Sequence, residues 1–465
     1  MLRSQSILFG ASTALLALAG EPLAASFGNG PLAIRVGRAE TVTKGVIENA
    51  VILVEDGKIV TIGEDLPVER GVQVIDRPQW TVMPGMVSSY TRIGLDSEGG
   101  DDMSPDVKAS DELWPKSRDM RKVVDYGFTT LGVYPAGNGI PGLAAAIRPR
   151  GETVAEMILK DPAYLKIVMR SDSASKKRIR DAFAKVDEYE EKVKKAREKW
   201  DKDKDKDKDK KGKKDEKPAE KPAEKPAEKT DEKKMADPDA QDVGSEAAQE
   251  GKTDAKDEKK ADGFVPPAPD DKSRSFVEMR AKKLRALVTL AGAADWLHWL
   301  DALGKETIGF DVRLVLNQDS DIYFVFDKKT YDLDADGIGD RKVHAVVEPV
   351  LTFTPHTRRL RNLPMELAQA GAKVCFTPRT DNLDNYKEFL GHVSELIGAG
   401  MTRDVALRAL TQNGADLLGV GDRVGSLEKG KDANLVFLDG DPFQPATRIQ
   451  AVMLDGRFVF GEVDS

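Results

Sequence analysis

Short apolar runs separated by turn residues occupy both ends of the chain. Residues 51–54 form a continuous apolar run, the Asp56-Gly57 pair is a hairpin turn signal, and residues 59–62 resume the apolar pattern. Runs of the same kind return near the carboxyl end, at residues 433–438, 449–454 and 457–460. A β unit at each end predicts that both ends share one small β-sandwich.

The middle of the chain alternates between strand-like and helix-like patterns. Residues 128–133 predict a strand, residues 154–169 have a helical period, and residues 276–290 predict another helix. Further predicted strands and helices lie at 312–316, 346–353, 374–377, 385–398 and 403–412. This alternation is typical of an α/β fold with a mostly parallel sheet or barrel.

A charged low-complexity segment interrupts this pattern. Residues 174–200 predict a highly charged helix, and residues 201–210 are five Asp-Lys repeats followed at 216–227 by three Glu-Lys-Pro-Ala repeats. The segment 201–271 has almost no apolar residues and cannot offset its ordering entropy, so we predict a disordered insertion. Its charges nearly balance, which favours a solvated insertion over a polyelectrolyte-binding one.

The first 25 residues have the anatomy of a secretory signal. Arg3 precedes an apolar run at 7–19 that is too short for an ordinary membrane span, and small residues at 17–19 and 23–25 offer cleavage sites. We therefore expect a periplasmic or secreted protein, the alternative being a buried amino-terminal helix. Elsewhere no 18 consecutive residues are apolar, so no membrane span is expected after cleavage.

Composition narrows the function classes. The 465 residues carry a formal net charge of −8, which gives no electrostatic basis for binding nucleic acid. Cys375 is the only cysteine, so an intrachain disulfide cannot form. There are four histidines in the whole chain, which is few for a protein with a histidine-rich metal centre.

Motifs at both ends resemble the amidohydrolase superfamily, in particular its imidazolonepropionase-like branch. The sequence GSLEKGKDANLV at 425–436 is close to a hallmark of that family, and residues 411–419 resemble the helix before it. EDGKI at 55–59 and Val82-Met83-Pro84-Gly85 match the family's amino-terminal part. The resemblance implies a TIM-like (β/α)8 barrel, whose strand set need not be complete, with a β-sandwich built from both chain ends. The predicted domains are a signal peptide at 1–25, a composite sandwich at 26–83 and 425–465, a barrel at 84–200 and 272–424, and the insertion at 201–271.

The family's metal-binding positions are changed in this sequence. The resemblance implies one or two metals at the carboxyl ends of the barrel strands, held partly by a His-x-His motif after Pro-Gly. Tyr90 and Arg92 stand at those two positions, Gln318 aligns with a later histidine, and Arg379 aligns with the catalytic aspartate. A guanidinium has no lone pair for a metal, so zinc is not expected. Asp381 would replace the aspartate only if the strand end shifts.

Two functions from different classes follow. The first is a non-catalytic amidohydrolase-fold protein that binds a small molecule, forms a homo-oligomer or pairs with an active amidohydrolase relative. The second is a hydrolase of C–N bonds, in peptide-like or other substrates, with an unconventional site. Tyr90, Arg92 and Arg379 would suit a small anionic ligand, unless the arginines pair with local acids such as Asp96 or Asp381. His298, between two tryptophans, is interpreted as a packed helix residue rather than a ligand.

An acidic loop offers a separate cation site. The candidate calcium ligands alternate along the loop and are Asp332, Asp334, Asp336 and Asp340. Gly337 stands at the sixth position, where calcium loops turn sharply, but Val343 stands where an EF-hand needs glutamate. A weak extracellular-type Ca²⁺ site and an acidic surface turn are both compatible with this pattern.

Overall fold

The computed structural model describes residues 30–97, 99, 102–212, 263–317, 320–354, 356–461 and 463. The predicted signal peptide, at 1–25, lies outside these residues. The strands in the described residues are, in chain order, β1 (Leu32–Glu40), β2 (Val46–Glu55), β3 (Lys58–Glu64), β4 (Gln73–Pro84), β5 (Met86–Thr91), β6 (Phe128–Val133), β7 (Gly142–Ile147), β8 (Ile158–Val168), β9 (Ala286–Leu290), β10 (Phe310–Leu314), β11 (His344–Val347), β12 (Thr352–Phe353), β13 (Leu360–Arg361), β14 (Lys373–Phe376), β15 (Leu435–Leu438), β16 (Ile449–Leu454) and β17 (Arg457–Phe460).

The described residues also contain eleven α-helices. They are α1 (Arg118–Lys122), α2 (Val154–Met157), α3 (Ser173–Gly212), α4 (Asp271–Arg280), α5 (Ala293–Leu303), α6 (Lys328–Tyr331), α7 (Leu363–Gln369), α8 (Leu383–Lys387), α9 (Phe389–Gly398), α10 (Arg403–Leu410) and α11 (Gln412–Leu418). Short 3-10 helices lie at Ala109–Glu112, Val123–Tyr126 and Ile322–Val325. In the part of the chain that the structure describes, no helix has both the length and the apolarity needed to cross a membrane.

Both chain ends build one seven-stranded sheet, in the order β17-β16-β15-β4-β1-β2-β3. Strand β4 joins the two ends because it pairs with β1 on one side and with β15 on the other. One buried cluster draws side chains from every strand of this sheet, including Ile34, Ile52, Val82, Phe437 and Met453. The prediction that both ends contribute to one β unit is confirmed, but the predicted β-sandwich takes the form of a single seven-stranded sheet.

The middle of the chain forms an eight-stranded barrel sheet, in the order β14-β11-β10-β9-β8-β7-β6-β5. The two end strands approach each other, since the Thr377 hydroxyl after β14 donates to the Tyr90 carbonyl of β5 at 2.7 Å. The barrel is therefore nearly closed, and the predicted α/β, TIM-like fold class is confirmed.

The barrel departs from a strict repeat of strand and helix at one place. Strand β7 runs antiparallel to both β6 and β8, so these three strands need no crossover helix. The predicted helix at 154–169 is wrong, because only α2 is helical and the rest is β8. Strand β8 has charged residues at 160, 161 and 166 and no strict apolar–polar alternation, so its pattern does not distinguish a strand from a helix.

A second predicted helix, at 276–290, is only half right. Helix α4 ends at Arg280, and Lys282 has a positive φ of 58°, which ends the helical path before β9. Strand β9 then lies between β8 and β10 in the barrel. The burial of β9 in the sheet, a tertiary effect, overrides the local helical pattern.

The chain divides into two compact units, Met1–Phe183 with Asp270–Ser465, and Ala184–Pro269. In the second unit, Trp200 of α3 packs edge-on against Phe264 at 6.0 Å, and the Tyr189 hydroxyl donates to the Pro267 carbonyl at 3.0 Å. Helix α3 extends to Gly212, into the segment predicted as a disordered insertion. Residues 213–262 lie outside the described residues, and disorder there stays a prediction.

Candidate functional site

The barrel interior has an apolar layer and, above it, a polar layer. The apolar layer packs against α11 through Ala415, Leu417 and Leu418, and its strand members include Tyr164, Leu287, Val346 and Cys375. Side chains two residues further along a strand point to the same face. The polar layer at the carboxyl ends of the parallel strands therefore contains Lys166, Thr289, Arg313, Glu348 and Thr377. TIM-barrel active sites lie at this end of the barrel.

A stacked aromatic pair stands beside the polar layer. Tyr90 at the end of β5 and Tyr134 after β6 have ring centroids 3.8 Å apart and an interplanar angle of 21°. The Lys166 ammonium lies 4.2 Å from the Tyr134 centroid, and the guanidinium carbons of Arg92 and Arg313 lie 5.9 Å from Tyr134 and 5.4 Å from Tyr90. Three cations thus flank the pair at distances where ring faces attract positive charge.

Arg92 is held by the loop that follows β5. Its guanidinium donates to the Tyr134 carbonyl at 2.7 Å and to the Ser97 carbonyl at 2.9 Å. It also forms an ion pair with Glu112 at 3.4 Å, and the Ser97 hydroxyl donates to the same carboxylate at 2.7 Å. The pairing of Arg92 with an acid was one of the predicted alternatives, although the acid is Glu112 rather than Asp96 or Asp381.

Arg313 is buried in the polar layer, and only part of its hydrogen-bonding capacity is used. Its guanidinium donates to the Glu348 carboxylate at 2.8 Å and to the Leu314 carbonyl. Its third nitrogen, Nε, is buried and has no hydrogen-bond partner among the described residues. The same holds for the hydroxyl of Thr289, which pairs in register with Arg313 on the neighbouring strand.

Lys166 carries a buried charge that forms no ion pair with a carboxylate of the described residues. It is 5% exposed, and its ammonium donates to the carbonyls of Pro135 and Gly137 at 3.3 and 3.4 Å. Burial is the main cause that lowers the pKa of Lys166 to about 7; nearby Arg92 acts in the same direction, and Asp381 partly opposes them. Titratable groups with such shifts in a cleft are candidates for function.

The end of β14 reaches back to β5 through Asp381. The Thr91 hydroxyl donates to the Asp381 carboxylate at 2.5 Å and lies 2.6 Å from the Tyr386 hydroxyl. Burial raises the pKa of Tyr386, and the same effect raises the pKa of Tyr134. Both phenols therefore stay protonated at neutral pH.

The structure brings together only part of the predicted site. Tyr90 and Arg92 lie at the barrel mouth, as their spacing after Pro84-Gly85 predicts. Arg379 is exposed, and no ion pair or hydrogen bond of its side chain occurs within the described ranges. Gln318 lies outside the described residues. The anion site made of Tyr90, Arg92 and Arg379 stays a prediction.

The donor set at the strand ends does not fit a divalent metal. Ammonium and guanidinium groups offer no lone pair, and they place positive charge where the cation would sit. Glu348 and Glu112 are already paired with arginines. Across the described ranges, no three His, Cys, Asp or Glu side chains are placed to hold a metal ion.

The acidic loop and His298 lie outside the polar layer. The Asp340 carboxylate accepts from the backbone N–H groups of Lys328 and Gly337, and Asp336 lies 3.8 Å from Arg341. Asp332, Asp334 and Asp336 are exposed, and the carboxylates do not converge on one point in the described structure. Calcium binding and an acidic surface turn therefore both stay predictions. His298 lies on α5 rather than at a strand end.

Sequence reasoning missed Lys166, Thr289, Arg313 and Tyr134. The available signal was a charged residue directly between two apolar ones, since Lys166 stands between Leu165 and Ile167 and Arg313 between Val312 and Leu314. Such a residue either faces solvent or faces a polar interior. Only the closure of the barrel decides between these two orientations.

Comparisons with known proteins agree with this fold. The family model described as the amidohydrolase family matches residues 358–459. A stretch of 98 residues is 37% identical to an imidazolonepropionase of Syntrophobacter fumaroxidans (strain DSM 10017 / MPOB) and covers 20% of this chain and 23% of that protein. This match thus spans less than a quarter of the relative's length.

Solved structures extend the similarity to nearly the whole chain. The crystal structure of an amidohydrolase from Thermotoga maritima MSB8 superimposes with a TM-score of 0.67 and 21% identity, over 93% of this chain and 100% of that one. A structure described as an uncharacterized protein gives a TM-score of 0.50 with 13% identity over the same shares. At these identities the similarity shows the fold alone. The predicted resemblance to the amidohydrolases is confirmed by the family match and by this fold.

Proposed function

We propose that this chain, which carries an amidohydrolase family domain on an amidohydrolase-type barrel, is a binding protein that has lost metal-dependent hydrolysis. The observation that supports the proposal is the polar layer itself. Lys166, Arg313 and Arg92 place three cations around Tyr90 and Tyr134, at the barrel end where a metal would be held. The carboxylates of Glu348 and Glu112 already pair with Arg313 and Arg92, so a metal would have to displace these arginines to gain oxygen ligands.

The test is elemental analysis of the purified full-length chain together with hydrolysis assays. Zinc should be well below one equivalent, because cationic side chains oppose a cation in a low-dielectric site. Hydrolysis of dipeptides, hydantoins and imidazolones should not exceed the rate in buffer. Stoichiometric zinc accompanied by turnover that a chelator abolishes would contradict the proposal.

The zinc content of a second set of variants tests which residues exclude the metal. Tyr90→His with Arg92→His restores two nitrogen ligands at the carboxyl end of β5. Zinc content should rise if these two positions determine whether the metal binds. Lys160→His, at an exposed position on β8, is the matched control for adventitious binding by an added histidine. Adding Gln318→His and Arg379→Asp completes the replacement of the predicted positions. Missing outer-shell partners would still limit affinity.

One observation favours a second candidate function. Lys166 is buried, and its pKa of about 7 would allow a neutral amine to act as a general base near physiological pH. A hydrolase of C–N bonds that used Lys166 in this way would need no metal ligands. Its turnover would survive chelators and be lost in Lys166→Met, which separates it from the binding protein and from a metallohydrolase.

Location and partners belong to the same proposal. We propose export to the periplasm or outside the cell, because the amino-terminal run has the anatomy of a signal. A homo-oligomer, or pairing with an active amidohydrolase relative, would give a non-catalytic chain a role.

A further inference from the structure

Two buried donors in the polar layer have no partner within the part of the chain that the structure describes. They are Nε of Arg313, in a side chain that is 10% exposed, and the hydroxyl of Thr289 beside it. A buried polar group without a hydrogen bond costs free energy, so such groups are rare unless a ligand or water completes them. Both belong to neighbouring strands that are in register at these two residues.

Lys166 adds a third incompletely used donor. An ammonium has three N–H bonds, and the contacts of Lys166 are two carbonyls at 3.3 and 3.4 Å and the face of Tyr134. Both carbonyl distances are longer than those of a strong hydrogen bond. Lys166 and Arg313 also contact the same ring, because their cationic groups lie 5.9 and 5.4 Å from the Tyr90 centroid.

The charge balance of the layer indicates the charge of the ligand. Arg313 is paired with Glu348 and Arg92 with Glu112, so each of these pairs is neutral overall. Lys166 has no buried carboxylate partner in the described residues, and Asp381, which partly offsets its charge, is exposed and bonded to Thr91. When Lys166 is protonated, one positive charge thus remains in the buried layer, and a single negative charge on a ligand would match it.

The loops at this end of the barrel expose apolar side chains. Phe324, after β10, and Phe353 and Leu360, after β11, are 47%, 45% and 49% exposed. The two loops contact each other, since the Arg361 guanidinium lies 4.1 Å from the Tyr323 ring centroid. Loops that follow parallel barrel strands line the entrance to the site at their carboxyl ends. A ligand that entered there would meet an apolar rim before the polar layer.

We propose that the barrel binds a small monocarboxylate with an apolar group, whose carboxylate is held by Lys166, Arg313 and Thr289. This inference rests on the proposed binding function and names its ligand class. Lys166 and Nε of Arg313 supply charge-assisted donors, and the Thr289 hydroxyl supplies a third donor. The apolar group of the ligand lies toward the Tyr90–Tyr134 pair and the rim.

The experiment is calorimetric titration of the full-length chain, with chelator present, using benzoate as the probe. Benzamide tests the need for the charge, acetate tests the need for the apolar group, and inorganic phosphate tests the ligand class. Benzoate should bind, and the other three should bind at least about 10-fold more weakly. Benzamide loses a charged hydrogen bond, acetate loses the apolar area of the ring, and phosphate brings charge that a single cation does not match. Equal binding of benzamide or tighter binding of phosphate would overturn the monocarboxylate, and equal binding of acetate would overturn the apolar rim.

Variants assign the site to the three residues. Lys166→Met should weaken benzoate binding about 10-fold or more, and Thr289→Val, which keeps the shape and removes the hydroxyl, should weaken it about 2- to 10-fold. Lys160→Met changes an exposed lysine on the same strand and should leave binding unchanged. Melting curves verify that each variant is folded. Unchanged benzoate affinity in folded Lys166→Met and Thr289→Val would overturn the assignment.

Proton uptake gives an independent readout. The charged groups around Lys166 are Arg92 and Asp381, together with Arg313 and Glu348 of the polar layer, and the neighbouring rings are Tyr90 and Tyr134. Because a bound carboxylate favours the charged amine, benzoate binding at pH 8 should take up about one proton in the wild type and none in Lys166→Met. Binding without Lys166-dependent uptake would overturn the role of Lys166. If the chain contains no zinc, shows no hydrolysis and does not bind benzoate, this inference is refuted but the loss of hydrolysis is not. Zinc-dependent turnover would instead refute the proposed function.

Discussion

Lys166 is the residue of the polar layer whose environment most clearly lowers the stability of the folded state. Its ammonium is buried among a tyrosine ring and two carbonyls, and burial is the main cause of its lowered pKa. A charge removed from water without an ion pair is destabilising, and proteins retain such charges mainly at functional sites. The same residue therefore links the stability of the chain to its proposed ligand.

Lys166→Met should change how stability depends on pH. The folded-state pKa, about 7, is below the ordinary value of 10.5, so between these values the unfolded chain binds a proton that the folded chain does not. Unfolding free energy of the wild type, measured relative to Lys166→Met, should then rise with pH from about 7 to 10.5, by up to about 1.4 kcal/mol per pH unit. Urea denaturation at several pH values measures it. A difference that does not vary with pH would show that Lys166 is not desolvated.

The sequence located only the residues that follow a motif at fixed spacing. Tyr90 and Arg92 could be placed because they follow Pro84-Gly85 on one strand. Lys166 and Arg313 could not be placed, because the face of a strand that turns inward depends on register and barrel closure. The antiparallel strand β7, which no pattern indicated, also changes which strands adjoin β8.

Strands β5 and β6 and helix α11 pack so closely in the barrel interior that one position between them has no room for a side chain. Gly132 of β6 faces the Ser89 carbonyl of β5 and Leu418 of α11. A Cβ at this position would lie 2.4 Å from that carbonyl oxygen and 2.6 Å from the Leu418 methyl. The backbone oxygen cannot move aside without shifting the strand, so this position admits only glycine.

Gly132→Ala should destabilise the chain by about 1–3 kcal/mol, the usual range for overpacking a core. Gly391 is the matched control, because it lies within α9 and nothing stands within 4 Å of its added Cβ. There alanine should stabilise by about 0.5–1 kcal/mol, since glycine is a poor helix residue. Thermal melts of both variants should shift in opposite directions, and equal shifts would disprove the packing argument.

Elements were predicted well where local patterns and burial agree. The predicted strands at 128–133, 449–454 and 457–460 match β6, β16 and β17 to the residue. The prediction failed at β8 and β9, because neither strand has the strict alternation of apolar and polar residues that distinguishes a strand from a helix.

Backbone hydrogen bonds and ion pairs hold the two ends of the chain together. Residues 430–433 run along the β2–β3 hairpin, where the Ile59 amide donates to the Lys431 carbonyl at 2.9 Å and the Ala433 amide donates to the Gly57 carbonyl at 2.7 Å. Resemblance at both ends predicted this union, but only the structure shows that β4 and a buried carboxylate, Asp432, make it.

Asp432→Asn should weaken the union of the two ends. The carboxylate is 6% exposed and pairs with Lys58 and with Arg423, at 2.8 Å each, so it joins the amino-terminal hairpin to the carboxyl-terminal segment. Because Lys58 and Arg423 are themselves 52% and 37% exposed, solvent screens these pairs and the loss should be only about 1–3 kcal/mol. Urea denaturation should show a lower midpoint at unchanged slope. Asp56→Asn, at the exposed tip of the same hairpin, should change stability by less than about 0.5 kcal/mol. If both variants are equally stable, the backbone hydrogen bonds alone hold the ends together.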